Sequence, residues 1–246
     1  MQFSACKYEI DNHVAIITLN RPDKGNAFNE QMITELTHIV NSMSDDIHVL
    51  CIQASGKHFC TGADLYEMQN NLNDPLKLAL FMQALYNLNV PIIAAVNGAA
   101  FAGAIGLLAN CDIVIAQEGA AFCLSEVKLG LVPAVISPYV IEAIGVRNAK
   151  HLMLSAEKFS AQTAMKLGLV HQIVSSATLA DNVNSCIQNL LGNGPKALSA
   201  VKKLCREVLT INLKDRPKYT ADLLTQIRNT PEAQSRLKDF FEKKHV

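Results

Sequence analysis

The chain has 246 residues, half of them hydrophobic and 18% charged, which is enough to bury a substantial core. Lysine plus arginine equals aspartate plus glutamate at 22 each, so the net charge is zero and no general field draws in nucleic acid or an anionic membrane. Neither is expected as a partner.

The opening residues mix Lys7, Glu9 and Asp11 with apolar side chains and lack the charged-then-apolar order of a secretory leader. Tyr8 to Ile10 and Val14 to Leu19 flank Asp11-Asn12 and predict a hairpin. The loop Arg21-Pro22-Asp23-Lys24-Gly25-Asn26 precedes a helix with Ile33, Leu36, Ile39, Val40 and Met43 at helical spacing. Val49 to Ala54 predicts a strand, Ser55 to Leu65 a loop, and Leu78, Phe81, Leu85 and Leu88 a helix ending before Pro91. Ile92 to Val96 and Ile113 to Ala116 predict two more strands. A helical stretch from Ala161 to Leu167 and a strand from Val170 to Val174 follow. Strand, loop and helix recur, which implies a mainly parallel, buried sheet covered by helices.

From Thr178 the pattern is helical throughout: Leu179 to Leu191, a helix opened by Pro195, Thr220 to Ile227, and Pro231 to Lys244 with Thr230 as its cap. The apolar stripes of this tail exceed what its helices can bury among themselves, so a second copy of the chain is the expected partner.

Between Val90 and Cys111 there is no charge, but Pro91, Asn97, Asn110 and several glycines fit a buried core better than a membrane span. The seven cysteines are odd in number with no C-x-x-C, which predicts reduced thiols and a cytoplasmic setting. The seven histidines show no metal-ligand spacing, so a metal is not expected.

The segment Asn97-Gly98-Ala99-Ala100-Phe101-Ala102-Gly103 joins an apolar strand to an apolar helix. A glycine turn at a helix start leaves backbone N–H groups free for an anion, although glycines after a strand also serve plain tight packing. Glu126 lies within Phe122-Cys123-Leu124-Ser125-Glu126-Val127-Lys128-Leu129-Gly130-Leu131, an apolar setting that would raise a carboxyl pKa. An anion hole and one tuned carboxylate suit enolate chemistry.

Several motifs in order across nearly the whole chain resemble the crotonase, or enoyl-CoA hydratase/isomerase, superfamily. They are Leu19 through Ala27, Phe59-Cys60-Thr61-Gly62-Ala63-Asp64-Leu65, Ala94-Ala95-Val96-Asn97-Gly98, Asn110-Cys111-Asp112-Ile113, Phe122 through Leu131, and Leu167-Gly168-Leu169-Val170. The resemblance implies an α/β fold, a crotonase-like spiral of ββα units over residues 1–190, with a helical C-terminal trimerisation region over 191–246. It implies a homotrimer or a hexamer, and coenzyme A only as part of the substrate.

Carried onto this sequence, the resemblance gives the oxyanion hole to the amides of Ala63 and Gly103, and the proton exchange next to the carbonyl to Glu126. It places Arg21, Lys24, Ala27, Asp64 and Leu65 around the CoA moiety, and Phe240 and Lys243 at a neighbouring subunit's CoA site. The hydratases' first glutamate falls on Gly106, which can hold no water; a lone glutamate also matches the family's double-bond isomerases. The run Pro133-Ala134-Val135-Ile136-Ser137-Pro138 and that glycine look like the bacterial methylglutaconyl-CoA and carboxygeranoyl-CoA hydratase branch. Hydration of a 2-enoyl-CoA, with a branched or carboxylated acyl group, is therefore the expected activity. A delta-isomerase and a catalytically weak acyl-CoA-binding relative are the alternatives.

Overall fold

Asn12 and His13 have positive φ, 43° and 68°, and form the two-residue turn that returns β1 (Cys6–Asp11) onto β2 (Val14–Leu19). A pair of this kind matches the twist of a tight hairpin, and the turn sits one residue later than the composition of Asp11-Asn12 suggests. The computed structural model describes residues 3–70, 72 and 74–244, with side chains through 242.

After the hairpin come α1 (Glu30–Asn41), β3 (Val49–Ala54), α2 (Leu65–Gln69) and α3 (Pro75–Asn87). Then follow β4 (Ile92–Val96), β5 (Ala100–Phe101), α4 (Gly103–Ala109), β6 (Ile113–Gln117), β7 (Ala121–Cys123) and α5 (Ser137–Ser155). The remainder is β8 (Phe159–Ser160), α6 (Ala161–Lys166), β9 (Gln172–Val174), α7 (Leu179–Leu191), α8 (Pro195–Glu207), α9 (Arg216–Arg228) and α10 (Pro231–Lys244).

The larger sheet has the order β1-β2-β3-β4-β6-β9 and is parallel from β2 onward. β4 is buried along its full length, as a central parallel strand covered on both faces must be. On one face lies the main core, to which α1 contributes Met32, Ile33, Leu36, Ile39 and Val40. On the other, Val183 and Ile187 of α7 close over Val14, Val49, Ile93 and Ile115. Glu35 is buried on α1 yet satisfied: its carboxylate accepts the N–H groups of Ser4, Ala5 and Cys6 at 3.1, 3.0 and 2.9 Å.

A second, small sheet sets β5 parallel to β7 and β8 antiparallel to β7. Parallel bridges from Phe28 to Ala63 and from Cys60 to Ala100 continue it past the ends of the large sheet. Gly98 makes this turn possible, because a Cβ there would stand 2.0 Å from the Lys57 carbonyl oxygen. The expected α/β spiral is therefore present, with the loops of successive units gathered at one end.

α8 has no buried residue and docks through polar contacts. The Lys202 ammonium meets Asp112 at 2.7 Å and the Val90 carbonyl at 2.9 Å, and Arg206 donates to the Tyr86 carbonyl at 2.8 Å. Glu232 of α10 accepts the Lys196 amide at 3.1 Å, near the start of α8. Leu209, Leu213, Leu224, Leu237 and Phe241 on this tail are exposed.

Five of the seven cysteines are buried and none of them forms a disulfide. Burial pushes the Cys60 thiol up to about 12, so it stays protonated.

Candidate active site

Ala63 is held by bonds that its neighbours make. The Phe28 amide donates to the Gly62 carbonyl at 2.7 Å, and the Asp64 amide donates to the Phe28 carbonyl at 2.8 Å. In such a ladder the residue between has its own N–H on the opposite side, and among the described residues no acceptor takes that of Ala63. Gly62, at φ 99°, lets the chain turn there; a Cβ on it would come within 3.0 Å of the Ala102 Cβ.

The second turn is built differently. Ala102 has φ 50° and ψ −119°, a conformation that glycine adopts freely and alanine does not, and strain of this kind costs about 1 to 3 kcal/mol. Its amide is anchored on the Cys123 carbonyl at 2.8 Å. The next residue, Gly103, opens α4, so its N–H has no intrahelical partner, and no described acceptor takes it. Gly62 thus packs on Ala102, and the two free amides belong to the residues that follow each of them. Behind them lies the Phe28 ring, 3.3 Å from where a Cβ on Gly103 would stand.

Glu126 begins a 3-10 turn, Glu126–Leu129, just after β7, which Gly130 closes at φ 70°. Its Oε2 is buried without a hydrogen-bond partner among the described residues. Burial raises its pKa, and only its own backbone N–H opposes that.

Ala63, Leu65, Gly103 and Glu126 line one cavity of about 440 Å³, together with Phe28, Leu78 and the run from Leu131 to Ile136. Arg21 and Asp64 form an ion pair at 2.9 Å outside that lining, and Arg21 also donates to the Ala27 carbonyl at 2.7 Å. Burial pushes the Asp64 carboxyl up, but Arg21 and the amides of Glu67 and Tyr66 outweigh it and hold the pKa below the usual value. Asp64 also caps α2, so both residues brace the Ala63 turn. Lys24 is exposed on the turn Pro22–Lys24. Phe240 stacks edge-on against Phe241 on α10 and is not part of the described lining. The Lys243 side chain lies outside the described residues.

Comparison with known proteins fits this geometry. The family described as Enoyl-CoA hydratase/isomerase matches residues 9–246. The chain belongs to that family. A solved enoyl-CoA hydratase from Shewanella pealeana ATCC 700345 is 40% identical and superposes with a TM-score of 0.92, over 98% of this chain and 95% of that one. The 2,3-dehydroadipyl-CoA hydratase of Escherichia coli (strain K12) is 31% identical, covering 94% of this chain and 93% of that one. The short-chain-enoyl-CoA hydratase of Clostridium acetobutylicum is 26% identical, over all of this chain and 98% of that one. The crotonase fold and family expected from the motifs are thereby shown.

Two features of this family member were not legible in its motifs. A Cβ on Gly106 would stand 2.2 Å from Ile136 Cγ2, so isoleucine fills the space that a side chain at 106 would need. In sequence β6, β7 and a 3-10 turn lie between the two, and only packing joins them. The other is charge: among the described lining residues there is no lysine, arginine or histidine, so the basic partner that a carboxylated acyl group calls for is missing from that lining.

Proposed function

We propose that the chain is an enoyl-CoA hydratase, adding water to the double bond of a 2-enoyl-CoA thioester. One observation carries this reading: a glutamate whose Oε2 is buried without a hydrogen-bond partner shares an apolar cavity with two backbone amides that have none among the described residues. The amides of Ala63 and Gly103 take the thioester oxygen as it gains negative charge. Glu126 accepts a proton from water as the water oxygen bonds to the β carbon. It then returns that proton to the α carbon, so one hydrogen and one hydroxyl are added. Arg21 and Asp64 position the first amide, and Lys24 is free to meet a CoA phosphate. The names of the relatives support hydration, and their different acyl groups leave the acyl chain open.

A second reading, double-bond isomerisation, is favoured by the contact between Gly106 and Ile136, which leaves no room for a second carboxylate. A single glutamate can carry one proton between two carbons of the same substrate. Absorbance of the conjugated thioester separates the readings: hydration of crotonyl-CoA removes it, and isomerisation of a 3-enoyl-CoA creates it. A loss with crotonyl-CoA supports the hydratase; a gain with 3-hexenoyl-CoA and no loss with crotonyl-CoA overturns it.

The tail, residues 191–246, is proposed to hold a trimer or a hexamer of two trimers, because its exposed leucines and Phe241 lack a covering surface in one copy. Sedimentation at micromolar concentration is expected to give a trimer or larger, and deletion from Pro195 onward to give smaller, aggregation-prone species. A full-length chain that sediments as a monomer contradicts this assembly.

A further inference from the structure

The cavity beside Glu126 has a one-sided charge pattern. Its ionisable described lining residues are Glu126 and Asp74, both acids, and the Asp74 side chain is already engaged by the Leu76 amide at 2.9 Å as the cap of α3. The other described lining residues are apolar apart from Thr61 and Ser125.

The second observation concerns how that wall is built. α4 is bare at Gly106, and Ile136 fills the gap: its Cγ2 and Cβ would lie 2.2 and 2.5 Å from a Cβ at 106. Ile136 is 2% exposed and lines the same cavity as Glu126. At this contact Ile136 faces a residue with no side chain, so none at 106 can swing aside. The cavity's limit on this side is therefore fixed by Ile136 itself.

We infer that this cavity accepts an uncharged, apolar acyl group, and that Ile136, seated on Gly106, is the residue that sets how large a group it admits. The inference rests on the acyl-CoA reading and narrows it. A carboxylate at the far end of the acyl chain would lose its hydration, find no cation among the described lining residues, and share a confined space with Glu126. An alkyl chain or a branched alkyl group instead gains by leaving water. Of the two acyl types implied by the resemblance, the branched one suits this wall and the carboxylated one does not.

Isothermal titration of the full-length protein with saturated thioesters, which bind without reacting, tests both halves. Hexanoyl-CoA is expected to bind at least about 100-fold more tightly than glutaryl-CoA, as the burial of an unpaired charge demands. Ile136→Ala is expected to improve decanoyl-CoA relative to hexanoyl-CoA by about 10-fold, the scale of one or two extra buried methylenes. Ile136→Val, which removes a single methyl group, should shift the same ratio in the same direction and covers the case in which the alanine variant does not fold.

If hexanoyl-CoA and glutaryl-CoA bind within a few-fold of one another, the inference falls while the acyl-CoA reading stands. If the decanoyl-to-hexanoyl ratio is unchanged in folded variants, Ile136 does not set the limit. If no acyl-CoA binds at all, the acyl-CoA reading fails and takes the inference with it.

Discussion

Glu126→Gln is expected to lower turnover by roughly 10²- to 10⁴-fold, the usual contribution of a positioned general acid or base, while leaving acyl-CoA binding intact. The amide is close in size to the carboxyl group and cannot exchange a proton with a carbon centre. Because burial raises the pKa of Glu126, its ionised form is depleted at a pH where an ordinary glutamate is fully charged. The acid limb of kcat/KM should therefore lie above the usual carboxylate range, and the measurement is a pH profile of wild-type hydration. Near-normal turnover in the variant, or an acid limb at an ordinary glutamate value, contradicts the assignment.

The same substitution should act on stability in the opposite sense. A carboxyl group whose folded pKa is raised stabilises fully only at low pH, where it is protonated in both states. As pH rises past its ordinary value the unfolded chain releases its proton first, and stability falls until the raised folded value is passed. Glu126→Gln removes that fall. Urea unfolding below and above the ordinary glutamate range should show the variant gaining on the wild type as the pH rises. Loss of activity with a gain in stability is the mark of a site kept strained for chemistry, and a packing residue would lose both.

What the sequence discloses depends on how far apart the cooperating residues are. The hairpin, α1, β3, β4 and α7 were readable because a run of neighbours carries the pattern, and α7 is bounded as its stripe and glycines predict. β5, β7 and β8, two or three residues each, are too short to alternate, and α2 spans one turn. α5 is not legible in the sequence, because its apolar residues form no single stripe and Gly145, at φ 77°, interrupts it. The expected strand from Val170 shortens to Gln172–Val174, since the Leu169 and Val170 amides close the end of α6 on the Ala164 carbonyl.

The site divides in the same way. Glu126 and the glycine turns were marked by their immediate neighbours. The seal of Ile136 on Gly106 and the absence of a cation from the described lining arise from chain crossings, which no local window contains.

Gly103→Pro is expected to cut kcat by about 10²- to 10³-fold, the typical cost of losing one donor to a developing oxyanion. The substitution removes an N–H and leaves every ionisable side chain in place. Position 103 is the first of α4, where proline costs a helix least, since no intrahelical bond is lost there. Two local features set the controls. A Cβ at 103 stands 3.3 Å from the Phe28 ring, so the ring must yield by a few tenths of an ångström. Proline also restricts the residue before it, and Ala102 is already at an unusual φ and ψ. Gly103→Ala meets the same ring and keeps the N–H, so it measures the steric part alone. If the amide is the functional group, the alanine variant retains most of the wild-type turnover and the proline variant does not, at matched melting temperature and oligomeric state. Binding of hexanoyl-CoA should weaken less than kcat, because negative charge on the thioester oxygen is largest near the transition state and the donor acts there most. Equal losses in the two variants would assign the effect to Phe28 packing, and wild-type turnover in Gly103→Pro would remove Gly103 from the oxyanion hole.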